Sequence, residues 1–241
     1  MLEIDSFSLL LDKSRKSYQL FRYSSFKICN VEILSEDYYY FQARSKGYRS
    51  RASFKLEQID KKFHVLHKGA LVVDLGAAPG GWSQVAARRV GNGGKVIAID
   101  KAYISSFKES NIEIVQKDIF DEKLVQLISK EYGLIDVLLS DCAPSVSGNW
   151  SRDHFTQIML ADRVLDVAED LLRNNGVLVC KLFQGSELQK FMNRLKSFFG
   201  KTKLFKPKAS RMKSSEIYAV GLNFKKPSDI IEKEENSPNK L

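Results

Sequence analysis

A glycine-rich turn follows an apolar run in the stretch LVVDLGAAPGGWSQ, at positions 71–84. Gly76, Gly80 and Gly81 fall where a predicted first strand ends and the next helix begins. At such a place the backbone can approach a ligand closely and offer it the free N–H groups of a helix start. The turn therefore predicts a ligand site at the end of this strand.

Three further apolar runs end in, or are followed by, an aspartate, and these are Asp100, Asp118 and Asp141. Parallel strands end at one edge of a sheet, and ligands of doubly wound folds bind at that edge, where the strand order reverses. We therefore expect the three carboxylates and the glycine turn to contribute to a single site.

The spacing G-A-A-P-G-G differs from the G-x-G-x-x-G of dinucleotide-binding folds, and Pro79 removes an N–H group that would bind a pyrophosphate. An adenosine ligand without phosphates suits the turn better. S-adenosylmethionine offers a ribose to Asp100, an adenine edge to Asp118 and a sulfonium cation to a nearby carboxylate. Binding of NAD by an oxidoreductase is the more distant alternative.

Short apolar runs and longer amphipathic stretches alternate through the middle of the chain. The candidate strands are Ala70–Leu75, Lys95–Asp100, Ile112–Gln116, Ile135–Ser140 and Gly176–Phe183. The candidate helices between them are Trp82–Val90, Glu122–Lys130 and Arg152–Arg173. In the last of these helices, Phe155 is assigned to the same apolar face as Leu165. This alternation predicts an α/β fold with a parallel sheet that is covered by helices on both faces.

The ends of the chain are less regular. Two helices are predicted over 36–66, separated at Gly47. Near the C-terminus, Lys203–Phe205 and Glu216–Phe224 are joined without a helix and predict an antiparallel pair at one edge. The expected domains are an N-terminal extension of uncertain structure (1–35), a catalytic domain (36–224) and a disordered tail (225–241).

Composition limits the classes of partner. The 241 residues carry a formal net charge of +9, which favours a polyanionic partner such as RNA, DNA or an anionic membrane surface. No run approaches the ~20 apolar residues that cross a bilayer, and the N-terminus lacks the pattern of a signal peptide, so we expect a cytoplasmic protein. The cysteines (Cys29, Cys142, Cys180) and histidines (His64, His67, His154) are not spaced as metal ligands, and no metal is expected.

Five separated blocks, in this order, resemble one family: RSRASFKL, VVDLGAAPGGWSQ, SDCAPSVSG, VCKLFQG and RMKSSEIYAV. They are similar to the FtsJ/RrmJ (RlmE) family of RNA ribose 2′-O-methyltransferases, from about residue 36 to residue 224. The resemblance implies a Rossmann-like sheet of seven strands, mainly parallel with an antiparallel last strand. It also implies S-adenosylmethionine as the methyl donor, RNA as the partner and a monomeric protein.

The family's Lys-Asp-Lys-Glu tetrad falls here on Lys55, Asp141, Lys181 and Glu216. Its donor contacts fall on Gly80, Trp82, Asp100, Asp118 and Asp141. One hypothesis makes Lys181 the general base, which would require its pKa to fall by roughly three units from ~10.4. Positioning of the ribose by the tetrad is expected to be the larger contribution to the rate.

The resemblance favours a uridine of large-subunit (23S) rRNA as the substrate. A tRNA or an mRNA cap remains an alternative, as does a non-catalytic RNA-binding factor in ribosome assembly. Two basic runs without acids, Arg44–Lys55 and Lys201–Lys213, flank tetrad positions and predict where RNA phosphates bind. Tyr48 is either a stacking platform for RNA or a packed aromatic residue.

Overall fold

The structure is a computed structural model that describes residues 31–144 and 147–226, with side chains from residue 38 onward. Its strands are β1 Leu71–Leu75, β2 Lys95–Asp100, β3 Ile112–Gln116, β4 Ile135–Ser140, β5 Leu172–Phe183, β6 Phe199–Phe205 and β7 Glu216–Phe224. Its helices are α1 Val31–Ser45, α2 Ser53–Phe63, α3 Gly81–Val90, α4 Leu124–Tyr132, α5 Trp150–Leu171 and α6 Leu188–Phe198.

The strands form one seven-stranded sheet in the order β3-β2-β1-β4-β5-β7-β6. All neighbours from β3 to β5 are parallel, whereas β7 is antiparallel to both β5 and β6. The predicted fold class, a mainly parallel sheet of seven strands with a reversed last strand, is confirmed. The predicted antiparallel pair at one edge is β6 and β7.

Helices cover both faces of this sheet, as predicted. On one face α4, α5 and α6 pack on a large apolar cluster that includes Leu138, Leu165 and Phe191. On the other face α2 and α3 pack on a second cluster around Leu56, Val85 and Val137. Strands buried on both faces explain why their sequences read as continuous apolar runs.

Three elements differ clearly from the sequence prediction, and one of them is β6, which begins at Phe199 instead of Lys203. Helix α6 is not among the predicted helices, although Leu188, Phe191, Met192 and Leu195 have the helical spacing of a buried face. Strand β5 begins at Leu172 instead of Gly176, so α5 passes into β5 without an intervening loop. The pairing of β4 with β5 is irregular between Ile135 and Val137, and this irregularity accommodates the extra residues.

The strand order reverses between β1 and β4, where Leu75 lies beside Ser140. The chain leaves both strands at the same edge of the sheet. There a Cβ atom on Gly76 would clash with the Cys142 side chain and lie 3.2 Å from its Cα atom. Gly76 also has a φ of +74°, which favours glycine, so this close crossing fixes the residue type.

The structure describes only parts of the predicted N-terminal extension and of the predicted C-terminal tail. Helix α1 begins at Val31, inside the predicted extension 1–35, and residues 1–30 lie outside the described part of the chain. Of the predicted tail 225–241, only residues 225 and 226 are described. Among the described residues, no helix is long and apolar enough to cross a bilayer.

Candidate active site

A cavity of about 600 Å³ opens at the carboxyl edge of the sheet, above the point where the strand order reverses. Asp100, Asp118 and Asp141 all line it, so the structure brings together the three carboxylates that the sequence assigned to one site. Its walls also include the apolar side chains of Leu75, Ile99, Ile119 and Leu160. Its volume lies within the range of small-molecule sites, which are mostly apolar with a few convergent polar groups.

Two of the carboxylates are oriented by backbone N–H groups. Asp100 accepts hydrogen bonds from Ala78 N at 2.9 Å and from Ala102 N at 2.8 Å, which ties the glycine turn to the end of β2. Asp118 accepts from Phe120 N at 3.0 Å. Each carboxylate keeps capacity to accept from a hydroxyl or an amine, because an ionised carboxylate has about four lone-pair sites.

The residues present fit S-adenosylmethionine. The apolar walls suit the adenine ring, and the half-buried acceptors suit the ribose hydroxyls and the amino group. Three carboxylates around one cavity favour a cationic ligand such as a sulfonium and disfavour the phosphates of a dinucleotide.

Gly80 and Trp82 do not line the cavity. Gly80 begins helix α3 with a φ of +110°, and a Cβ atom there would lie 2.5 Å from the Phe107 ring. Trp82 is buried, donates its indole N–H to Ala52 O at 2.9 Å and packs on Tyr218 with ring centroids 5.6 Å apart. The structure thus gives Gly80 a role in the turn and Trp82 a role in joining α2 to β7.

The four tetrad residues meet in one cluster beside this cavity. Lys55 Nζ lies 2.7 Å from Glu216 Oε2, and Lys181 Nζ lies 2.7 Å from Asp141 Oδ1 and 3.7 Å from Glu216 Oε2. Lys181 Nζ also donates to the backbone carbonyl of Asp141 at 3.0 Å. Because Asp141 lines the cavity and contacts Lys181, it connects the two halves of the site.

Strand direction explains how residues so far apart in sequence meet. Asp141 follows β4 and Lys181 lies near the end of β5, so both reach the carboxyl edge of parallel strands. Glu216 is the first residue of β7 and pairs with Phe183. Because β7 runs in the opposite direction, its start lies at the same edge. Helix α2 then brings Lys55 across a separation of 161 positions.

Three further residues hold the tetrad in place. Tyr218 donates its hydroxyl to Asp141 Oδ1 at 2.7 Å, Ser210 donates to Glu216 Oε1 at 2.7 Å, and Gln157 donates to Lys181 O at 3.0 Å. Sequence reasoning missed all three. Tyr218 falls inside the block RMKSSEIYAV, which marked it only as part of a motif, and Ser210 immediately precedes this block, within the second basic run. Gln157, on α5, carries no sequence signal.

Burial and charge set the protonation of the cluster. Burial alone lowers the pKa of Lys181, but the carboxylates of Asp141 and Glu216 outweigh it and bring the pKa above its ordinary value. Burial raises the pKa of Glu216, but Lys55 and Lys181 outweigh it and bring the pKa below its ordinary value. Burial and the nearby Asp141 carboxylate raise the pKa of Tyr218. In the free protein Lys181 is therefore an ammonium, Glu216 a carboxylate and Tyr218 a neutral hydroxyl.

A second buried carboxylate lies under the glycine turn. Asp74, on β1, is fully buried and accepts a hydrogen bond from Ser83 Oγ at 2.6 Å, while its Oδ1 atom has no partner. Burial raises the pKa of Asp74 from 3.8 to about 7, and the carboxylates of Asp141 and Asp100 add to this shift. Asp74 was not among the predicted site residues.

The first basic run is largely occupied by contacts within the protein. Arg49 donates to Pro79 O at 3.1 Å and to Ser105 O at 2.7 Å, with its guanidinium 3.7 Å from the centre of the Phe107 ring. Arg51 donates to Ala209 O at 3.0 Å. The run thus holds the glycine turn and the segment before β7 against α2.

Tyr48 is a packed aromatic residue, which is one of the two roles that the sequence allowed, and not an exposed stacking platform. Its hydroxyl donates to Glu57 at 2.7 Å, and the Arg88 guanidinium lies 4.6 Å from its ring centre. Burial and the bond to Glu57 raise the pKa of Tyr48 to about 12. In the second basic run, by contrast, Lys201, Lys203 and Lys208 are exposed.

The sheet order, the reversed β7 and the cavity above the switch point define a Rossmann-like methyltransferase fold. The model of the family described as FtsJ-like methyltransferase matches residues 48–224. The chain therefore belongs to the FtsJ-like methyltransferase family, as the sequence blocks predicted.

Named relatives agree with this assignment. A Methanosarcina barkeri protein called ribosomal RNA large subunit methyltransferase E is 45% identical over 190 residues, which are 78% of this chain and 71% of that protein. An Archaeoglobus fulgidus protein of the same name is 42% identical over 192 residues, 79% and 97% of the two chains. A crystal structure described as a ribosomal RNA methyltransferase from Plasmodium falciparum superposes with a TM-score of 0.66 at 31% identity, covering 73% of this chain and 98% of that one.

Proposed function

We propose that the protein transfers a methyl group from S-adenosylmethionine to the 2′-hydroxyl of a ribose in large-subunit ribosomal RNA, at a uridine. The names of the relatives support ribosomal RNA as the substrate class. The 2′-oxygen and the uridine come from the family resemblance. The contact between Lys181 Nζ and Asp141, a residue of the cavity wall, carries the proposal.

When bound, S-adenosylmethionine supplies an electrophilic methyl group on a sulfonium centre. Asp100 and Asp118 hold the ribose and the adenine, and the apolar side chains around them exclude water. Asp141 lines the cavity and also contacts the tetrad. Its negative charge therefore favours a cationic methyl donor next to the position of the substrate ribose.

Lys181 orients the hydroxyl that is methylated. As an ammonium it has three N–H donors, and the Asp141 carboxylate and carbonyl accept two of them. The third donor binds a lone pair of the 2′-oxygen and stabilises the negative charge that develops on it as the hydroxyl proton passes to the solvent. This positioning role needs no neutral lysine, in keeping with the raised pKa.

Glu216 and Lys55 complete the site from the other side. Glu216 accepts from Lys55 and Ser210 and lies 3.7 Å from Lys181 Nζ, so it fixes the lysine and its charge. We propose that the Glu216 carboxylate and Lys55 also bind the ribose hydroxyls of the substrate. Both are largely buried, which strengthens these contacts in the closed site.

The proposal is tested by incubating the purified protein with radiolabelled S-adenosylmethionine and, separately, large ribosomal subunits, free large-subunit rRNA and tRNA. We expect label in large-subunit rRNA, at a ribose mapped by resistance to alkaline cleavage. The Lys181→Met protein is the control and should transfer little label. Label in tRNA alone would replace the proposed substrate, and no label in any RNA would favour a non-catalytic assembly factor.

A further inference from the structure

A second cavity, of about 370 Å³, lies between the first turns of α5 and the loop that follows β5. We call it the aromatic pocket, and its lining residues are Trp150, Ser151, His154, Phe155, Ser186 and Glu187. We propose that the aromatic pocket binds, by stacking, a base of the RNA next to the nucleotide that is methylated. The proposal rests on the proposed function, which supplies the RNA.

Two large aromatic side chains of this pocket are exposed. Trp150 has 52% and Phe155 has 61% of its surface accessible. The sequence prediction assigned Phe155 to the buried face of α5, and this assignment is wrong because the ring faces away from the sheet. Exposed neighbouring aromatic side chains are uncommon on surfaces without a binding role.

The rings of the pocket have the geometry of a stacking platform. The Trp150 ring is inclined by only 15° to His154 and by 21° to Phe183, with centroids 6.0 and 6.2 Å apart. His154 is buried against Gly185, where no Cβ atom would fit, so the imidazole is held in place beneath the indole. A flat, rigid and partly open array of this kind suits the face of a nucleobase, and stacking of this type tolerates every base.

The pocket adjoins the tetrad through two elements. Phe183 and Lys181 lie two residues apart on β5 and therefore face the same side of the strand, about 7 Å apart along it. On α5, Arg152, Asp153 and Thr156 line the cavity assigned to the methyl donor, whereas Trp150, His154 and Phe155 line the aromatic pocket. A nucleotide beside the tetrad thus has a stacking surface one nucleotide spacing away.

Polar groups at the rim match the edge of a base. Ser186 supplies a hydroxyl and Glu187 a carboxylate. The Nε2 atom of His154 accepts from Glu187 N at 3.4 Å, which ties the imidazole to this rim. An apolar protein partner would satisfy none of these groups, so the pocket favours a nucleobase.

The chain contains two tryptophans, and the other, Trp82, is buried, so Trp150 reports on the pocket directly. The test titrates the protein, without methyl donor, with a single-stranded oligoribonucleotide and with an abasic oligomer of the same length. Stacking predicts that the bases quench the Trp150 fluorescence and that the abasic oligomer does not. Equal quenching by both oligomers, or none by either, would overturn the proposal.

Variants give an independent readout. Trp150→Ala and Phe155→Ala should each raise the Kd for the oligoribonucleotide, and the KM for rRNA, by about tenfold, with kcat nearly unchanged. Trp150→Phe should restore most of the affinity because it keeps a ring. Met159→Ala is the matched control, since Met159 is 48% exposed on the same helix but does not line the pocket. A Trp150→Ala protein that binds RNA like the wild type contradicts the proposal.

The two proposals fail in different ways. If wild-type protein transfers no methyl group to RNA but its Trp150 fluorescence is quenched by bases alone, the proposed function falls and the aromatic pocket stands. If methyl transfer occurs and the pocket variants change neither Kd nor KM, the aromatic pocket falls and the proposed function stands.

Discussion

At the scale of single residues, the protonation of Lys181 decides how the site works. Its ammonium is held between two carboxylates, and these outweigh the burial that would neutralise it. A general base would need the opposite balance. The arrangement therefore favours a lysine that positions the ribose oxygen and stabilises its charge.

Substitution of Lys181 separates the two roles. Lys181→Met removes the charge, and we expect kcat to fall by about 10²–10³-fold, as for other groups that stabilise a developing charge. Lys181→Arg should recover part of this loss because a guanidinium keeps the charge and donates hydrogen bonds but does not give up a proton. Equal loss in both variants, with donor affinity unchanged, would instead support proton abstraction by Lys181.

Asp74 makes stability depend on pH in a direction unusual for an aspartate. The folded protein keeps the proton of Asp74 up to about pH 7, whereas the unfolded chain releases it near pH 3.8. Folding thus takes up a proton in this interval, and the contribution of Asp74 to stability is full below about pH 4 and is lost as the pH rises through 7. Asp74→Asn removes this dependence.

Urea denaturation at several pH values tests whether Asp74 causes this pH dependence of stability. Between pH 5 and pH 7, the free energy of unfolding of Asp74→Asn should improve relative to the wild type by about 1 kcal/mol per pH unit. The difference in the free energy of unfolding at a single pH does not test the prediction, because asparagine also changes the hydrogen bond to Ser83. The test is how this difference changes with pH. Denaturation curves that keep a constant separation across this range would show that Asp74 ionises in the folded protein as it does in the unfolded chain.

At the scale of elements, the close approach of the segments that follow β1 and β4 constrains the site. Gly76 has both a left-handed backbone conformation and a close neighbour in Cys142. Gly133, which ends α4, has a φ of +76° but no atom within 4 Å of a Cβ position. The two glycines thus share a positive φ and differ in the contact.

Alanine at these two positions separates the two effects. Gly133→Ala should cost about 1–3 kcal/mol of stability, from backbone strain alone. Gly76→Ala should cost about 1–3 kcal/mol more, because the methyl group displaces the Cys142 segment from the cavity wall. It should also weaken donor binding, which Gly133→Ala should not. Equal melting temperatures for the two variants would contradict this account.

Helices and strands were predictable from the sequence where a single pattern, such as a continuous apolar run, defines them. The bounds of β2, β3 and β4 agree with the apolar runs. The runs of β2 and β4 are long because both strands are mostly buried, whereas β3 is a half-buried edge strand. The direct join of α5 to β5 was not predictable, because it depends on how β4 pairs with β5. Phe155 was assigned to the buried face because its spacing fits the apolar stripe of α5. In the structure its ring is exposed and lines the pocket beside the loop that follows β5.

The site residues also divide into those that were predictable from the sequence and those that were not. The carboxylates of the donor cavity were predictable because strand ends meet at one edge of any parallel sheet. The tetrad was assigned from the resemblance, and the structure brings its members together. Tyr218, Gln157 and Asp74 act only through contacts across the fold, and such contacts cannot be read from one sequence.

At the scale of the whole molecule, the net charge of +9 predicts RNA binding that weakens steeply with salt. Because Arg49 and Arg51 make contacts within the protein, we expect the exposed lysines of the second basic run to be the main phosphate ligands. Lys208 lies next to Ala209 and Ser210, the residues that contact α2 and Glu216. Lys208 is thus an exposed lysine of this run that lies close to the tetrad.

Salt titrations of RNA binding test this assignment. Lys208→Gln should reduce the slope of log K against log salt by about 0.7, the loss of one phosphate contact with a single strand. Lys130→Gln is the matched control, because Lys130 is exposed on α4, on the other face of the sheet. If both variants lose the same slope, the effect of Lys208 is one of overall charge and not of a local contact.

The place of β7 in the sheet has a consequence for how the protein matures. This strand is translated after β6 yet lies between β5 and β6, so the sheet stays open until its last piece enters the gap. Glu216 arrives with that piece, whereas every residue that lines the donor cavity has already left the ribosome. A chain that ends before β7 therefore contains the residues of the donor cavity but lacks Glu216, and we expect it to transfer no methyl group.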